Sequence, residues 1–279
     1  MHKTLRLATL LAMLLPWPGL AAEPPAFTPV PAFTPVTVHM DYIGGAFGMR
    51  VMQLQAAVAM DAAGYRIDVT FHTVGLLAFF VHSEQHIVVW GVWRDDRAEP
   101  VRFWSWGHLR GAPRETLIDY EGGQPLIRRL TPPDEANRDP VPEAVRGDSI
   151  DTLSAIAYLV RHVAETGTCD GHTRVFDGRR VSEIEARTVG PVMVARGEAG
   201  PYQGQTLRCD FAGQQLAGFM HDEGLAWQRR AHHGSAWIAK AVPGGPPIPV
   251  RLIFETRWVG DVAMTLTEAG LGPLPDEPR

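Results

Sequence analysis

The chain has 279 residues, of which 45% are hydrophobic and 20% charged, and its net charge is −5. An acidic balance argues against a nucleic-acid ligand and against adhesion to anionic lipid headgroups, both of which require a basic face. The length is ample for a packed core, so neither a metal nor a disulfide is needed merely to hold one together.

Residues 1–22 read as a secretory signal. Lys3 and Arg6 form a basic start, Leu7 to Leu15 is an apolar run, and Pro16-Trp17-Pro18 breaks it. Small residues then offer cleavage near Ala21 or Ala22. The apolar run is too short to span a bilayer, and nothing later approaches the roughly 18 uninterrupted apolar residues that spanning requires. The expectation is an exported, periplasmic, soluble protein that does not span the membrane. No cysteine follows the signal at the position that would carry a lipid anchor. Removing Lys3 and Arg6 with the signal leaves 24 basic against 31 acidic residues over 257, a net charge of −7. Residues 23–36 form a Pro-rich leader in which Ala26-Phe27-Thr28-Pro29-Val30 recurs as Ala32-Phe33-Thr34-Pro35-Val36. Proline at that density favours an extended linker.

Period-two alternation then begins. Val36, Val38, Met40 and Tyr42 share one face, and Thr37, His39 and Asp41 the other. Gly44-Gly45 turns the chain into Met52, Leu54, Ala56 and Val58; Asp61-Ala62-Ala63-Gly64 turns it into Tyr65, Ile67, Val69 and Phe71. Three such strands predict an antiparallel meander with one wet face. Leu76 to Val81 is apolar throughout and fits a short helix or a buried strand. Ile87–Trp93 and Val101–Trp106 read as further strands. Residues 131–147, with Pro132, Pro133, Pro140 and Pro142, read as a long loop between two halves of one β-rich domain over 37–268.

One helix is predicted, over 149–165. Asp148 is placed to cap it with Asp151 in the first turn, and Ile150, Leu153, Ala157 and Val160 follow at helical spacing. Gly167 is a stop. So broad an apolar stripe implies packing on or inside a sheet. Strand patterns return at 172–176, 180–188, 205–211 and 237–241. The last two are Val250 to Trp258 and, past Gly260-Asp261, Val262 to Leu266, before a tail at 269–279. The total is about a dozen strands and one main helix.

Only Cys169 and Cys209 are present. In an oxidising compartment an isolated pair is normally a disulfide, here closing a loop of about 40 residues worth roughly 4 kcal/mol on chain entropy. Two buried free thiols are the alternative.

The order of these pieces resembles the exported bacterial proteins grouped as domain of unknown function 3108. The features that match are Tyr42-Ile43-Gly44-Gly45, Gly64-Tyr65-Arg66-Ile67, Asp151-Thr152-Leu153-Ser154-Ala155, Cys169, the run Arg174 to Arg180, and Pro249-Val250-Arg251-Leu252. The resemblance implies an envelope-associated, mainly β protein with no known activity. Its sheet would be strongly curved and antiparallel, an open barrel or β-spiral with one packed helix, as in envelope-integrity proteins or lipoprotein-carrier half-barrels.

No catalytic, cofactor or metal motif stands up. His82-Ser83-Glu84-Gln85-His86 has its Glu at the wrong offset for either zinc-protease helix. His232-His233 side chains diverge, and no further ligand lies at a telling spacing. No Gly-x-Ser-x-Gly elbow occurs. Gly147-Asp148-Ser149 is a loop and cap, and Gly44 to Gly48 opens no helix to cradle a phosphate. Asp95-Asp96 sits in a polar turn. Two features carry more interest. Asp177-Gly178 is a hairpin turn followed by Arg179 and Arg180, which are either solvated or an anion or partner site. Seven tryptophans remain beyond the signal, and Trp104 and Trp106 share a strand face, either as core or as lining for a groove that takes acyl chains or glycans.

These observations favour a non-enzymatic cell-envelope protein binding a lipid, glycan, other apolar or amphipathic component, or an envelope protein, without a cofactor. The alternatives are a hydrolase or transferase acting on envelope polymers, and a structural interaction module.

Overall fold

The computed structural model describes residues 36–133, 137–221, 224–257 and 259–276. The signal reading at 1–22, all but the last residue of the leader, Trp258 and the end of the tail lie outside the described residues.

The strands are β1 (Val36–Ala46), β2 (Met49–Met60), β3 (Gly64–Thr73), β4 (Ser83–Arg94), β5 (Arg97–Leu109), β6 (Ala112–Glu121) and β7 (Gln124–Thr131). They continue as β8 (Gly171–Phe176), β9 (Val181–Ala199), β10 (Tyr202–Ala217), β11 (His232–Ala239), β12 (Ile248–Thr256) and β13 (Gly260–Leu271). The helices are α1 (Gly75–Phe80), α2 (Glu143–Arg146), α3 (Thr152–Thr166) and α4 (Leu225–Arg229). All 13 strands form one antiparallel sheet in the order β7-β6-β5-β4-β3-β2-β1-β13-β12-β11-β10-β9-β8. The fold is mainly β, a nearly closed barrel-like sheet.

The two expected halves are the two arms of this sheet, joined where β1 pairs with β13. In that seam Tyr42 stands opposite Leu266 and Gly44 opposite Met264. At Gly44 a Cβ would lie 2.7 Å from the Met264 sulfur, so a larger residue here would require the Met264 side chain to shift. The outermost strands β7 and β8 meet through side chains rather than a ladder. Phe103 and Ile118 pack against Phe176, Val181 and Ala217, and the Arg179 guanidinium donates to the Pro132 carbonyl at 2.9 Å. This nearly closes the sheet and leaves little edge exposed.

Helix α3 lies against the inner face. Ala157 and Val160 are buried, and Leu153 and Tyr158 are half-buried against the main core of Val38, Met40, Tyr42, Tyr65, Val89 and Val250. Leu159 and Val163 pack beside Cys169, Cys209, Ala236 and Ile238. Ile156, of the same helix, is exposed.

Three local expectations are corrected. The cap of α3 is Asp151, whose side chain accepts from the Ser154 amide, whereas Asp148 is exposed with φ +57°. Of the two readings of Leu76 to Val81, the short helix is the one formed, as α1 (Gly75–Phe80). Strands β6 and β7 fill residues between the predicted strand at 101–106 and the Pro-rich loop; their charges alternate on the wet face and mask the period. Strand β9 runs on through Gly190 and Pro191 to Ala199. Because β8 pairs only as far as Ala186, Pro191 lies on a one-sided stretch where a missing amide costs no ladder bond.

Candidate functional site

The Cys169–Cys209 disulfide is formed, with Cα atoms 6.1 Å apart. It ties the chain leaving α3 to β10 across β9, where Thr188 accepts from the Cys169 amide through its hydroxyl at 2.8 Å. It is structural and buried, and carries no site.

Trp104 and Trp106 do share a face, but it is the outer one, in register with Val88 and His86 while Phe103 turns inward. Both are half-buried, and Trp106 helps line a cavity of about 320 Å³ together with His39, Asp68 and His86. Their rings lie 4.4 Å apart. Trp104 donates to Glu115 and sits under the Arg129 guanidinium, and Trp106 stacks on His86. Trp90 under Arg102 and Trp237 under Arg208 and Arg251 repeat the pattern. Glu84 Oε1 lies 3.3 Å from His86 Nε2 on this outer surface of β4, a strand and not a zinc-binding helix.

The hairpin Asp177 to Arg180 is placed differently for each residue. The Asp177 carboxylate accepts from the Arg179 and Arg180 amides at 2.9 and 2.7 Å and pairs with the Arg180 guanidinium. Burial pushes the Asp177 carboxyl up, but the Arg180 charge and these amide donors outweigh it, and the group lies below the usual carboxylate range. Arg179 turns away to Pro132. Arg180 lines a cavity of about 460 Å³ on the inner side of β8 to β12. Ser182 and Ile184 of β9 also line it, while the alternate residues Glu183 and Glu185 are exposed and not part of the lining.

Sequence reasoning missed the rest of that cavity. Arg138 enters from the Pro-rich connection, Trp227 and Gln228 from α4, His232 from β11, and Glu255 and Arg257 from the end of β12. Arg138 donates to the Gly218 carbonyl, and Gln228 is held by both backbone groups of Met220. Trp227 lies 4.0 Å beneath the Arg230 guanidinium and 4.5 Å from the His232 ring. Glu255 pairs with Arg230 and His232. Burial raises the Glu255 carboxyl, but the Arg230 hydrogen bond and charge, then His232, hold it below its ordinary value. Both acids of the lining are thus kept ionised, Asp177 by Arg180 of the same lining, and Arg138, Arg180 and Arg257 stand against these two acids. The signal for these residues was faint: they are single polar residues at strand ends and in loops, brought together only by sheet order.

A second polar cluster lies under α3. The Tyr65 hydroxyl donates to Ser154 Oγ at 2.7 Å, and Ser154 Oγ donates to Asp151 at 2.5 Å, all buried. Burial pushes the Asp151 carboxyl up to about 6, against the opposing Ser154 hydrogen bonds. The Tyr120 hydroxyl is buried with no hydrogen-bond partner among the described residues, and its pKa is raised by burial, then by the Asp151 charge. Among the described residues no cluster of three or more His, Cys, Asp or Glu could hold a metal ion, and no helix is long and apolar enough to cross a membrane.

Fold and cavity together define a barrel-like antiparallel β protein with an arginine-lined interior pocket. The chain belongs to the family described as Protein of unknown function (DUF3108), whose model matches residues 37–267. No curated protein matches it. A similar solved structure is the beta-barrel-like protein of domain of unknown function DUF1849 from Brucella abortus. It is 11% identical, with a TM-score of 0.50, over 86% of this chain and 99% of that one. At that identity the likeness concerns the fold alone.

Proposed function

We propose that this is an exported envelope protein that binds an anionic amphipathic molecule by its headgroup, without catalysing a reaction. The observation that carries the reading is the cavity, whose lining brings three arginines together with two acids and so has a net positive charge. Guanidinium forks suit carboxylate and phosphate oxygens. Trp227, Ile184, Val175 and Met220 supply apolar wall beside them, and a cavity of 460 Å³ is within the usual size for a small-molecule site. The buried disulfide supports an oxidising compartment and so an exported protein.

Calorimetric titration with an anionic lysophospholipid and its zwitterionic counterpart, both below their micelle thresholds, tests the reading. The anionic ligand is expected to bind more tightly, and the pair Arg180→Ala and Arg257→Ala to weaken it by at least about tenfold. Equal affinity for both headgroups, or no effect of the two substitutions, contradicts it. Turnover of an envelope polymer by the purified protein would favour a hydrolase or transferase instead.

A further inference from the structure

The outer face of the β1–β5 arm carries a row of polar and aromatic side chains that the arginine cavity does not use. Register places Asp41, Gln55, Thr70, His86 and Trp106 side by side, one on each of β1 to β5. Neighbouring strands lie about 4.8 Å apart, so the row is an unbroken ladder across the sheet. Its members are linked in pairs. Gln55 Nε2 donates to Asp41 at 2.8 Å, Thr70 Oγ1 lies 3.2 Å from His86 Nδ1, and the His86 and Trp106 rings stack with their planes 12° apart. Their neighbours in sequence on the opposite face, Met40, Ala56, Val69 and Ile87, pack into the main core and hold the row from beneath.

The row borders a depression rather than a flat surface. It lines the cavity of about 320 Å³ that Trp106 shares with His39, Asp68 and His86. Ala57 and Val88 also line it and are buried although they lie on the outer face. The chain that follows β13 walls the other side. The Gly272 amide donates to the Thr37 carbonyl, His39 Nε2 lies 2.7 Å from the Pro273 carbonyl oxygen, and the Arg66 guanidinium donates to the Asp276 carbonyl at 3.1 Å. These contacts carry the tail over the outer face from β1 to β3, where Pro275 and Asp276 join the lining.

The chemistry of the lining selects among ligands. Its described residues include Asp41, Asp68 and Asp276 and no Lys or Arg, which disfavours an anion. The two acids on the strands are not bare charges awaiting a cation either. Arg66 grips both Asp68 oxygens, at 2.8 and 2.9 Å, and Asp41 holds the Gln55 amide. The apolar part is a small floor and one indole wall, not the continuous apolar lining that an acyl chain needs. What the site offers is neutral hydrogen bonding. A carboxylate has about four acceptor sites, and a primary amide has two donors and an acceptor oxygen, so the single Asp41–Gln55 bond leaves most of that capacity for a ligand. A sugar ring has both matching chemistries: apolar C–H faces that pack on an aromatic, and a rim of hydroxyls that donate and accept. The cavity volume lies at the lower end of small-molecule sites.

We infer that this outer depression binds a neutral saccharide, with Trp106 packed against a sugar ring and Asp41, Gln55 and Thr70 taking its hydroxyls. His86 is a positioning residue that fixes the Trp106 plane. The inference goes beyond the arginine-cavity reading and does not rest on it, because that cavity lies on the inner side of the other arm.

The test is calorimetric titration of the protein with maltotriose and triacetylchitotriose as neutral probes, trigalacturonic acid as the anionic one and spermidine as the cationic one. At least one neutral probe is expected to bind. Trp106→Ala and Gln55→Ala should each weaken it at least about fivefold, while the pair Arg180→Ala and Arg257→Ala leaves it unchanged. Gln55 is exposed, so its variant should keep the wild-type thermal transition and reports on binding even if Trp106→Ala folds poorly. Trp106→Phe keeps an aromatic wall and should lose less than Trp106→Ala. No binding of either neutral probe overturns the inference. So does tighter binding of trigalacturonic acid or spermidine than of both neutral probes. Neutral binding indifferent to Trp106→Ala and Gln55→Ala, or lost in the arginine pair, places the sugar elsewhere and overturns it as well. None of these results bears on the arginine cavity, whose own test uses an anionic lysophospholipid.

Discussion

Arg179 and Arg180 are neighbours in sequence with different work. Arg180 is more than half exposed in its side chain and lines the cavity. Arg180→Ala should change stability by less than about 1 kcal/mol while weakening ligand binding. Arg179 spans the gap between β8 and β7, so Arg179→Ala should lower the denaturation midpoint more than Arg180→Ala does and leave the ligand affinity nearer to wild type. Urea titrations of the two variants check the order; a reversed order would make Arg180 the structural residue. Asp151 offers a pH test. Its folded-state pKa, about 6, is raised above the ordinary value of 3.8. Between those values the folded state binds more protons than the unfolded one. This group's contribution is therefore full at the acid end of the window and is lost as pH rises through about 6, an effect of about 2–3 kcal/mol. Asp151→Asn keeps the cap acceptor and should flatten that part of the stability–pH profile. An unchanged profile would show that Asp151 does not titrate there.

At the scale of single elements, α3 was the most legible piece of the sequence, because an amphipathic stripe ending in Gly167 has few other readings. Its cap was misassigned because Asp148 and Asp151 both precede helical spacing, and only the β8 contact of Ile150 decides between them. That segment pairs with Val175 and so stays extended until Asp151. Leu153 proved half-buried, so Leu153→Ala should cost near the lower end of the usual range, about 2 kcal/mol, in a chemical denaturation measurement. The disulfide was legible from count alone. Its loop spans 40 residues, so reduction should lower stability by up to roughly 4 kcal/mol. A denaturation midpoint unmoved by reductant would mean the bridge constrains little. The aromatic pair Trp104 and Trp106 was legible only as a pair. Period two places both on one face, and nothing local states which face is inner when arginine and histidine can cover a tryptophan as well as a core can.

For the whole molecule, alternation and turns specified a curved antiparallel meander, and the sheet has that form. Alternation does not specify how the arms meet. The contact of Phe176 and Val181 with Phe103 and Ile118 joins residues far apart in sequence, and the cavity is a by-product of that meeting. Its residues from α4, β11 and β12 were therefore not recognisable as a set, whereas Arg180 was singled out because it follows a strong turn. The central claim is that the arginine-lined cavity holds an anionic amphipathic molecule in the cell. Native mass spectrometry of the protein recovered from its own envelope fraction tests this most directly. The expected result is a mass excess that fragments to an acidic headgroup bearing an acyl chain, and that is reduced when Arg180 and Arg257 are both replaced by Ala. A spectrum showing only the polypeptide under conditions that preserve known lipid complexes, or an adduct indifferent to those two arginines, would contradict it.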